Sequence, residues 1–439
     1  MTEIKAQRSE SGQVFVILIL ATVVIMGFAA LALDGGMLYS ERRRAQNAAD
    51  AGALAAALAM IKSQNLHVAA LERADSNGFA TTWGPCDPPG YDCTLGTGSK
   101  WTVQVSSPPR TGEYLGSNGY IQLTITSEVV TSFSHLIFKS PLRTTVEAVS
   151  RVRLSGNIAP GYAIYSASEH DCKGIWFSGT GDTVINGGSI FSNSDAGSGG
   201  CQSGVQDGSG TVTVGPPGEN IEVVGTFDAG GSGSVTPAPV EGVAQGYLRV
   251  VPLPDCSGLP DYGKKTVPPG GSTTLLPGRY ESIDILPGAT VTMSPGMYCI
   301  YSANGFSGLG GTITGTGVMI YLQAGDFDLG GTALIALAAE QAAGVLLDPS
   351  QNDWRGMLVY VDPSNSGTVN LTGNTGTTYS GAIFAPASQC TINGTGDNIG
   401  LLNSQIICDK VKITGTAQVT FDLSESDTYA LPSAIDLAK

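Results

Sequence analysis

A short element, glycine followed by three or four apolar residues, recurs in the second part of this chain and limits the folds open to it. The tetrapeptide LGGT and a Thr-Gly or Asn-Gly dipeptide also recur there at regular spacings. A period of about 20 residues is typical of a β-solenoid, in which each repeat buries its apolar face only by stacking on its neighbours. The element occurs as GYAIY (161–165), GSIF (188–191), GMYCIY (296–301), GVMIY (317–321), GMLVY (356–360) and GAIF (381–384), LGGT at 309–312 and 329–332, and the dipeptide at 372–373, 393–394 and 414–415.

The repeats predict a mainly β fold for residues 156–425, a right-handed parallel β-helix. An insert is expected at about 195–275, where the spacing is lost in Pro-rich and Gly-rich sequence. A β-sandwich of many short strands is the structural alternative, and the regular spacing favours the β-helix. Residues 426–439 show no pattern and are expected to form a C-terminal tail.

Residues 14–33, VFVILILATVVIMGFAALAL, form an apolar run without a charged side chain. A helix rising about 1.5 Å per residue would span roughly 30 Å over this run, the thickness of a bilayer's hydrocarbon core. We therefore expect a transmembrane helix that holds the chain in a lipid bilayer, preceded by a tail at 1–13. A buried core helix and a secretory signal peptide are the alternatives, and the Ala-rich segment that follows at 34–65 favours a retained anchor.

The Ala-rich segment is expected to continue the anchor as a helix, because alanine is the best helix former. Small residues recur every four positions within 41–62. They predict either a helix of high alanine propensity or a smooth face that docks in an assembly, since small residues let another element approach closely. Residues 66–155 predict a small α+β stalk module. Its expected strands are 101–105, 121–130 and 143–154, with a loop at 81–98.

All eight cysteines follow the apolar run, and they include no CxxC pair. An even number without zinc-type spacing is typical of disulfides formed in an oxidising compartment. The arginines at 42–44 favour the opposite orientation, since positive charge next to a membrane helix marks the cytoplasmic side. We give the cysteines more weight and expect a single-pass protein of the cell membrane with its C-terminal bulk outside the cytoplasm. Proximity in sequence suggests the pairs Cys86–Cys93, Cys172–Cys201, Cys256–Cys299 and Cys390–Cys408.

Several features occur in a fixed order in residues 11–59: Gly12-Gln13, the apolar run, Asp34, Tyr39, the arginines at 42–44 and QNAADA at 46–51. Together they resemble the N-terminal region of TadE/TadG-like proteins, which are associated with the assembly of Flp/Tad pili. The sequence from 287 to 421 also resembles the C-terminal solenoid of many TadG-like proteins. The resemblance implies an anchored structural protein of pilus or surface-structure assembly and adhesion, with components of the Tad pilus machinery as partners.

The charge balance restricts the partners further. Residues 156–439 carry 9 basic and 25 acidic side chains, while the whole chain has a net charge of −15. Binding to nucleic acid depends on Lys and Arg contacts to phosphate, so we expect no nucleic-acid partner. The lipid bilayer is expected to be contacted through the helix at 14–33 alone.

A catalytic site would need clustered carboxylates or a positioned base. The weak candidates are Asp326 and Asp328, which lie two apart on one side of a strand, a spacing suited to paired carboxylates or Ca²⁺. Glu169-His170-Asp171 is a second candidate, for which a solvated turn is the simpler interpretation, and His135 is interpreted as a packed or solvated histidine. The chain has no Walker A, HExxH or GxSxG motif. We therefore expect a non-enzymatic protein without cofactor or metal; the alternative is a surface carbohydrate-active or glycan-binding β-helix protein whose partners are surface glycans.

Overall fold

The computed structural model describes residues 11–85, 92–129, 131, 141–153, 156–215, 218–331, 333–340, 354–373, 376–394, 398–402, 404–424 and 428–438. The chain divides into two compact units, residues 1–155 together with 433–439, and residues 156–432. Along the chain the second unit is therefore inserted into the first. The prediction of a mainly β chain with parallel sheets and a long apolar N-terminal helix is confirmed.

The first unit combines two helices with an antiparallel sheet in the order β1-β2-β3-β4-β5-β38. Strands β3, β4 and β5 are those expected from their alternating apolar residues. Asn65 caps α2, because its side chain accepts from the backbone N–H groups of His67 and Val68 at 3.0 and 3.1 Å. The elements are α1 Ser11–Ile61, α2 Leu66–Ser76, β1 Thr82–Pro85, β2 Asp92–Thr97, β3 Trp101–Ser107, β4 Tyr120–Val129, β5 Leu142–Arg153 and β38 Ala434–Leu437.

The small residues of α1 pack against the sheet of their own unit. Ala45, Ala49 and Ala53 are fully buried, together with residues of β4 and β5. A Cβ added to Gly52 would lie 2.6 Å from a methyl group of Leu123, so the glycine permits the close approach of helix and sheet. The predicted docking face is thus covered within the chain, and the hypothesis that it docks in an assembly is wrong for these residues.

Two other expectations differ from the structure in the first unit. The sequence predicts a loop over 81–98, yet β1 and β2 pair within it, because their backbone groups complete the edge of the sheet beside β3. Residues 434–437 belong to the predicted C-terminal tail, yet they pair with β5 in the register Ala434↔Arg153 to Leu437↔Ser150. This segment is too short to show the alternation of a strand, and its pairing with β5 determines its structure.

The second unit is built from two long parallel sheets. In most repeats, two successive strands of the larger sheet are followed by one strand of the smaller sheet. The first strands are β6 Gly156–Asn157, β7 Tyr162–Ser166, β8 Ile175–Phe177, β9 Thr183–Asn186, β10 Ser189–Ser192, β11 Gly197–Ser198, β12 Cys201–Gln202, β13 Gly204–Gln206, β14 Val212–Gly215, β15 Ile221–Val223, β16 Phe227–Asp228, β17 Val235–Thr236 and β18 Val240–Glu241. The next are β19 Lys264–Val267, β20 Ser272–Leu275, β21 Gly278–Tyr280, β22 Ser282–Ile285, β23 Thr290–Met293, β24 Gly296–Ile300, β25 Phe306–Gly308, β26 Thr312–Thr316, β27 Val318–Leu322, β28 Phe327–Leu329 and β29 Leu334–Ala338. The last are β30 Met357–Val361, β31 Val369–Gly373, β32 Thr377–Ser380, β33 Ala382–Gly394, β34 Asn398–Leu402, β35 Ile406–Gly415, β36 Gln418–Asp422 and β37 Ala430–Leu431.

The sequence repeats mark positions that lie side by side in these sheets. The three regularly spaced dipeptides align in one row, Thr372↔Asn393↔Thr414 with Gly373↔Gly394↔Gly415. The glycine-led apolar elements form β7, β10, β24, β27, β30 and the start of β33, all in one sheet. This pairing is parallel, whereas a β-sandwich is built from antiparallel sheets.

The apolar core of the second unit lies between the two parallel sheets. In β28 and its neighbours the residues alternate, so that Phe327 and Leu329 point inward while Asp328 points outward. Phe306 and Phe327 occupy adjacent positions on paired strands and pack edge to face, with ring centroids 5.6 Å apart. Each strand thus adds one layer to a core that continues along the ladder.

The expected insert at about 195–275 is largely part of the ladder. Strands β13 to β18 continue the parallel pairing as far as Glu241, for example Gly204↔Ile175 and Val212↔Thr183. The prediction fails there because the spacing lengthens while the backbone pairing persists. A segment without strands follows at 242–260, which we call the connector.

The connector covers a second apolar cluster, which lies on the outer face of the larger parallel sheet. Val251 and Cys256 are buried there, and the backbone carbonyl of Val251 accepts from the Tyr360 hydroxyl at 3.4 Å. The covered row is Cys299, Tyr321, Tyr360, Phe384, Ile407, Tyr165 and Phe191, each paired with the next across the sheet. These strands are apolar on both faces because the core lies on one side and the connector on the other.

The order of strands in the ladder differs from their order in the chain. The last strands, β35 and β36, pair with the first, β7, β8 and β9. Ile406 lies beside Ile164, Val411 beside Ile175 and Val419 beside Thr183. We call this junction the seam. Because of it, the chain enters the ladder at an internal position, extends to β18, crosses by the connector and returns from β19 to the starting point.

Candidate functional site

The apolar half of α1 is the first functional feature. Its side chains are exposed, for example Phe15 at 64% and Leu31 at 71%. Among the described residues, α1 is the one helix long and apolar enough to cross a membrane. Such a continuous apolar surface is unfavourable in water and suits the hydrocarbon core of a bilayer.

The seam also concentrates charged side chains. Three of the nine basic residues of 156–439, Lys173, Lys410 and Lys412, lie on strands or loops that meet there. We call them, with their partners, the seam cluster: His170, Asp171, Lys173, Trp176, Asp195, Asp207, Lys410 and Lys412.

Trp176 occupies the centre of the seam cluster. It lies between the buried residues Ile175 and Phe177 of β8, so its ring points outward, beside Lys412 of the neighbouring strand. The ammonium groups of Lys173 and Lys412 lie 3.8 and 3.9 Å from the ring centroid. The indole N–H donates to Asp207 at 2.9 Å, and Lys173 lies 3.4 Å from the same carboxylate. The cations are attracted to the electron-rich ring face, so this contact joins β8, near the start of the second unit in the chain, to β35, near its end.

The acidic residues of the seam cluster are paired with separate cations. Asp171 lies 3.2 Å from the Lys410 ammonium, while His170 Nδ1 lies 3.0 Å from Asp195. The hydrogen bond with Asp195 raises the pKa of His170, which is exposed. Burial raises the pKa of Asp409, opposed by the charge of Lys410. The neighbours Glu169-His170-Asp171 therefore do not converge on a common ligand.

Asp326 and Asp328 have separate hydrogen-bonding environments in the structure. Asp326 is exposed, and its carboxylate accepts from the backbone N–H and the hydroxyl of Thr368 at 2.6 and 3.1 Å. Asp328 lies in a lateral row between Ser307 and Asn370. Within the described ranges, no group of three or more His, Cys, Asp or Glu side chains could hold a metal ion. His135 lies outside those ranges.

Three disulfides link cysteines that are 29, 43 and 18 residues apart in the chain. Cys172–Cys201, Cys256–Cys299 and Cys390–Cys408 have Cα atoms 4.7, 6.4 and 6.0 Å apart. These are the pairs suggested by sequence proximity. Cys86 of the suggested Cys86–Cys93 pair lies outside the described residues. The second bridge holds the connector to β24, and the other two lie near the seam.

The seam cluster was only partly predictable from the sequence. Lys410 and Lys412 alternate with buried Val411 and Ile413, so the outward position of both lysines could be predicted. Their proximity to Asp171 and Trp176 depends on the seam, for which the repeat spacing gives no signal. The double-sided burial of β24, β27 and β30 did have a signal, because their apolar runs are continuous instead of alternating.

Comparison with known proteins relates part of α1 to a pilus-assembly family. Residues 12–59 match the sequence model of the TadE/G-like Flp pilus-assembly family. The matched segment coincides with most of α1, and so includes both the exposed apolar half and the alanine face packed on the sheet. Comparisons with curated proteins and with solved structures give no significant match.

Proposed function

We propose that this protein is a membrane-anchored, extracytoplasmic structural protein that acts in the assembly of Flp/Tad pili or a related surface structure and in adhesion. The family match over residues 12–59 carries the proposal. Those residues contain the exposed apolar segment, and they also contain Gln46, which donates to Asp50 at 2.8 Å and to the Glu147 carbonyl at 3.2 Å. In this proposal the matched segment anchors the chain in the membrane and also packs against the sheet of the first unit.

We further propose that the parallel sheets of the second unit form a right-handed β-helix that works by shape and not by catalysis. Each strand pairs in parallel with the corresponding strand one repeat later, and an apolar core continues between the sheets. Both features support this architecture. Disulfides and a core of stacked layers would keep such a body rigid. The polar outward rows would then be available for contact with a surface, and components of the Tad machinery would contact the anchored part.

The proposed orientation, with the second unit outside the cytoplasm, rests on the three disulfides. Cysteine alkylation of the native protein in isolated membranes, with and without reductant, tests it. We expect the six bridged cysteines to react only after reduction. Free thiols at these positions in the native protein would overturn the orientation, because disulfides are rare in the reducing cytoplasm.

A genetic experiment tests the function. Deletion of the gene in the source organism should abolish or strongly reduce piliation or adhesion, and expression of the full chain should restore it. A chain whose residues 14–33 are replaced by an unrelated membrane-spanning segment provides the matched control for mere anchorage. Unchanged piliation and adhesion after deletion would contradict the proposal. Loss of saccharide binding on changing Asp326→Asn and Asp328→Asn would instead favour a glycan-binding protein.

A further inference from the structure

The two ends of the parallel sheets leave strand edges without a partner. At one end lie β19 and β20, which pair only with β22 and β23 among the described strands. At the other end lie β16, β17 and β18, whose partners within the described part of the chain are β13, β14 and β15 alone. An open edge presents backbone N–H and C=O groups that can pair with another strand.

The two ends carry opposite charge. Residues 262–280, which form the first end, contain Lys264, Lys265 and Arg279 and no acidic residue. Asp261 also lies at this end, because it pairs with Arg279 of β21 in a parallel bridge, and Glu281 follows β21 directly. Residues 218–243, which form the second end, contain no basic residue, and their acidic residues are Glu219, Glu222, Asp228 and Glu241. We call these the basic end and the acidic end.

The charge of each end is accessible. Lys264 is exposed at the edge of β19, and Asp228 and Glu241 are exposed on β16 and β18. Only nine basic residues occur in 156–439, so three within one terminal layer is a marked concentration. An open edge with an excess of positive charge defines an interaction surface at one end, and an open edge with negative charge defines one at the other.

We propose that a second copy of this chain docks head to tail on these surfaces, the basic end of one copy against the acidic end of the next. Opposite ends attract, whereas two like ends would repel. Head-to-tail contact also keeps the strands of both copies parallel, so the existing ladder continues across the junction. The contact is heterologous, and repeated addition gives an open chain of copies.

A different role for edge charge makes the opposite prediction. Lysine on an edge strand commonly prevents pairing with another molecule. A protective charge predicts a monomer in low salt and association once the charge is removed. Docking predicts association in low salt and its loss once the charge is removed or screened.

The test uses the full chain in detergent micelles, with mass measured by light scattering and sedimentation over a range of concentrations. In roughly 0.02 M salt, where screening is weak, we expect dimers and larger species that increase with concentration, and in roughly 0.5 M salt mainly monomers. K264E/K265E and D228K/E241Q should each weaken association by about tenfold or more. Glutamine at 241 retains an acceptor for the Phe227 N–H, which Glu241 binds at 2.7 Å.

A mixture of the K264E/K265E and D228K/E241Q variants gives the decisive test of head-to-tail docking. The two variants together should form heterodimers, because the acidic end of the first and the basic end of the second are both native. K62E/K100E alters two exposed lysines of the first unit and makes the same change in net charge as K264E/K265E. It should associate like the parent chain. Circular dichroism establishes that each variant is folded. A parent chain that is monomeric in low salt would overturn the proposal, as would association through α1 that neither end variant alters. The experiment does not depend on the role in pilus assembly.

Discussion

The two units pair their strands over very different distances along the chain. In the first unit most neighbouring strands are consecutive and antiparallel, as in Thr82↔Thr97. In the second, parallel partners lie one repeat apart, and at the seam the Asn186 amide donates to Asp422 at 2.8 Å across 236 residues. Periodicity in the sequence therefore reveals partners one repeat away, while a junction between the first and last repeats has no counterpart in the spacing.

The largest expected effect comes from removing an aromatic layer of the second unit. Phe327→Ala should lower the free energy of unfolding of that unit by about 3–5 kcal/mol, because a cavity replaces a fully buried ring. Hydrogen exchange followed by mass spectrometry should show lost protection around β25 and β28. Ile125→Ala is the counterpart in the first unit and should expose amides of β3 to β5 instead. Equal loss of protection in both units from either variant would contradict their separate cores.

Removal of the Cys256–Cys299 bridge should separate the connector from the ladder. The double variant to serine is expected to lose about 2–4 kcal/mol of stability, since the bridge restricts the unfolded chain. The connector should lose exchange protection while the sheets retain it. The matched control is the double serine variant at Cys172 and Cys201, which should leave the connector protected. A connector that stays protected without its bridge would show that the apolar cluster alone holds it.

A methyl group added at the seam should lower the free energy of unfolding more than a methyl group added where α1 contacts the sheet of the first unit. A Cβ on Gly181 would lie 2.0 Å from the Ala417 carbonyl oxygen, which is backbone and cannot move away freely. Gly181→Ala should therefore destabilise by about 1–3 kcal/mol in chemical unfolding. At Gly52 the obstacle is the end of the Leu123 side chain, and alanine gains about 1 kcal/mol of helix propensity, so Gly52→Ala should cost less. Gly258→Ala, in open space, is the control, and equal costs at all three positions would refute the idea of a tight seam.

The smallest effect concerns the titration of His170. Its pKa should lie above the ordinary value because Asp195 hydrogen-bonds the imidazolium, and Asp195→Asn should lower it. A raised folded pKa means that the pair stabilises the fold below the unfolded pKa, and that this contribution is lost as pH rises through the folded pKa. Nuclear magnetic resonance titration of the His170 ring measures its pKa in the parent chain and in the Asp195→Asn variant. Identical titration curves with and without the Asp195 carboxylate would dismiss the interaction.

Much of the fold followed from local patterns. The uncharged run predicted the apolar half of α1, since length and composition alone decide whether a helix can span a bilayer. Alternation predicted β3, β4 and β5, because a half-buried strand has a period of two. The aligned dipeptides at 372, 393 and 414 show that exact repeat spacing also predicts parallel neighbours.

The candidate site was predictable only in part. The pairs Cys172–Cys201, Cys256–Cys299 and Cys390–Cys408 follow from proximity in sequence, because they close short loops. The partners of Asp171 and Trp176 do not, since they come from the opposite end of the unit. The strand at 434–437 was missed for the same reason: its partner β5 precedes the whole inserted unit.

Residues near one another in the chain specify the long apolar helix, the mainly β composition and the spacing of the repeats, so these features could be predicted from the sequence. Three arrangements became apparent from the tertiary structure: the last repeat pairs with the first, the connector covers a row of mainly aromatic residues, and opposite charges lie at opposite ends of the sheets. Those arrangements arise from backbone pairing and burial between distant segments. The energy of such contacts depends on where the chain returns in space, a quantity that no local pattern records.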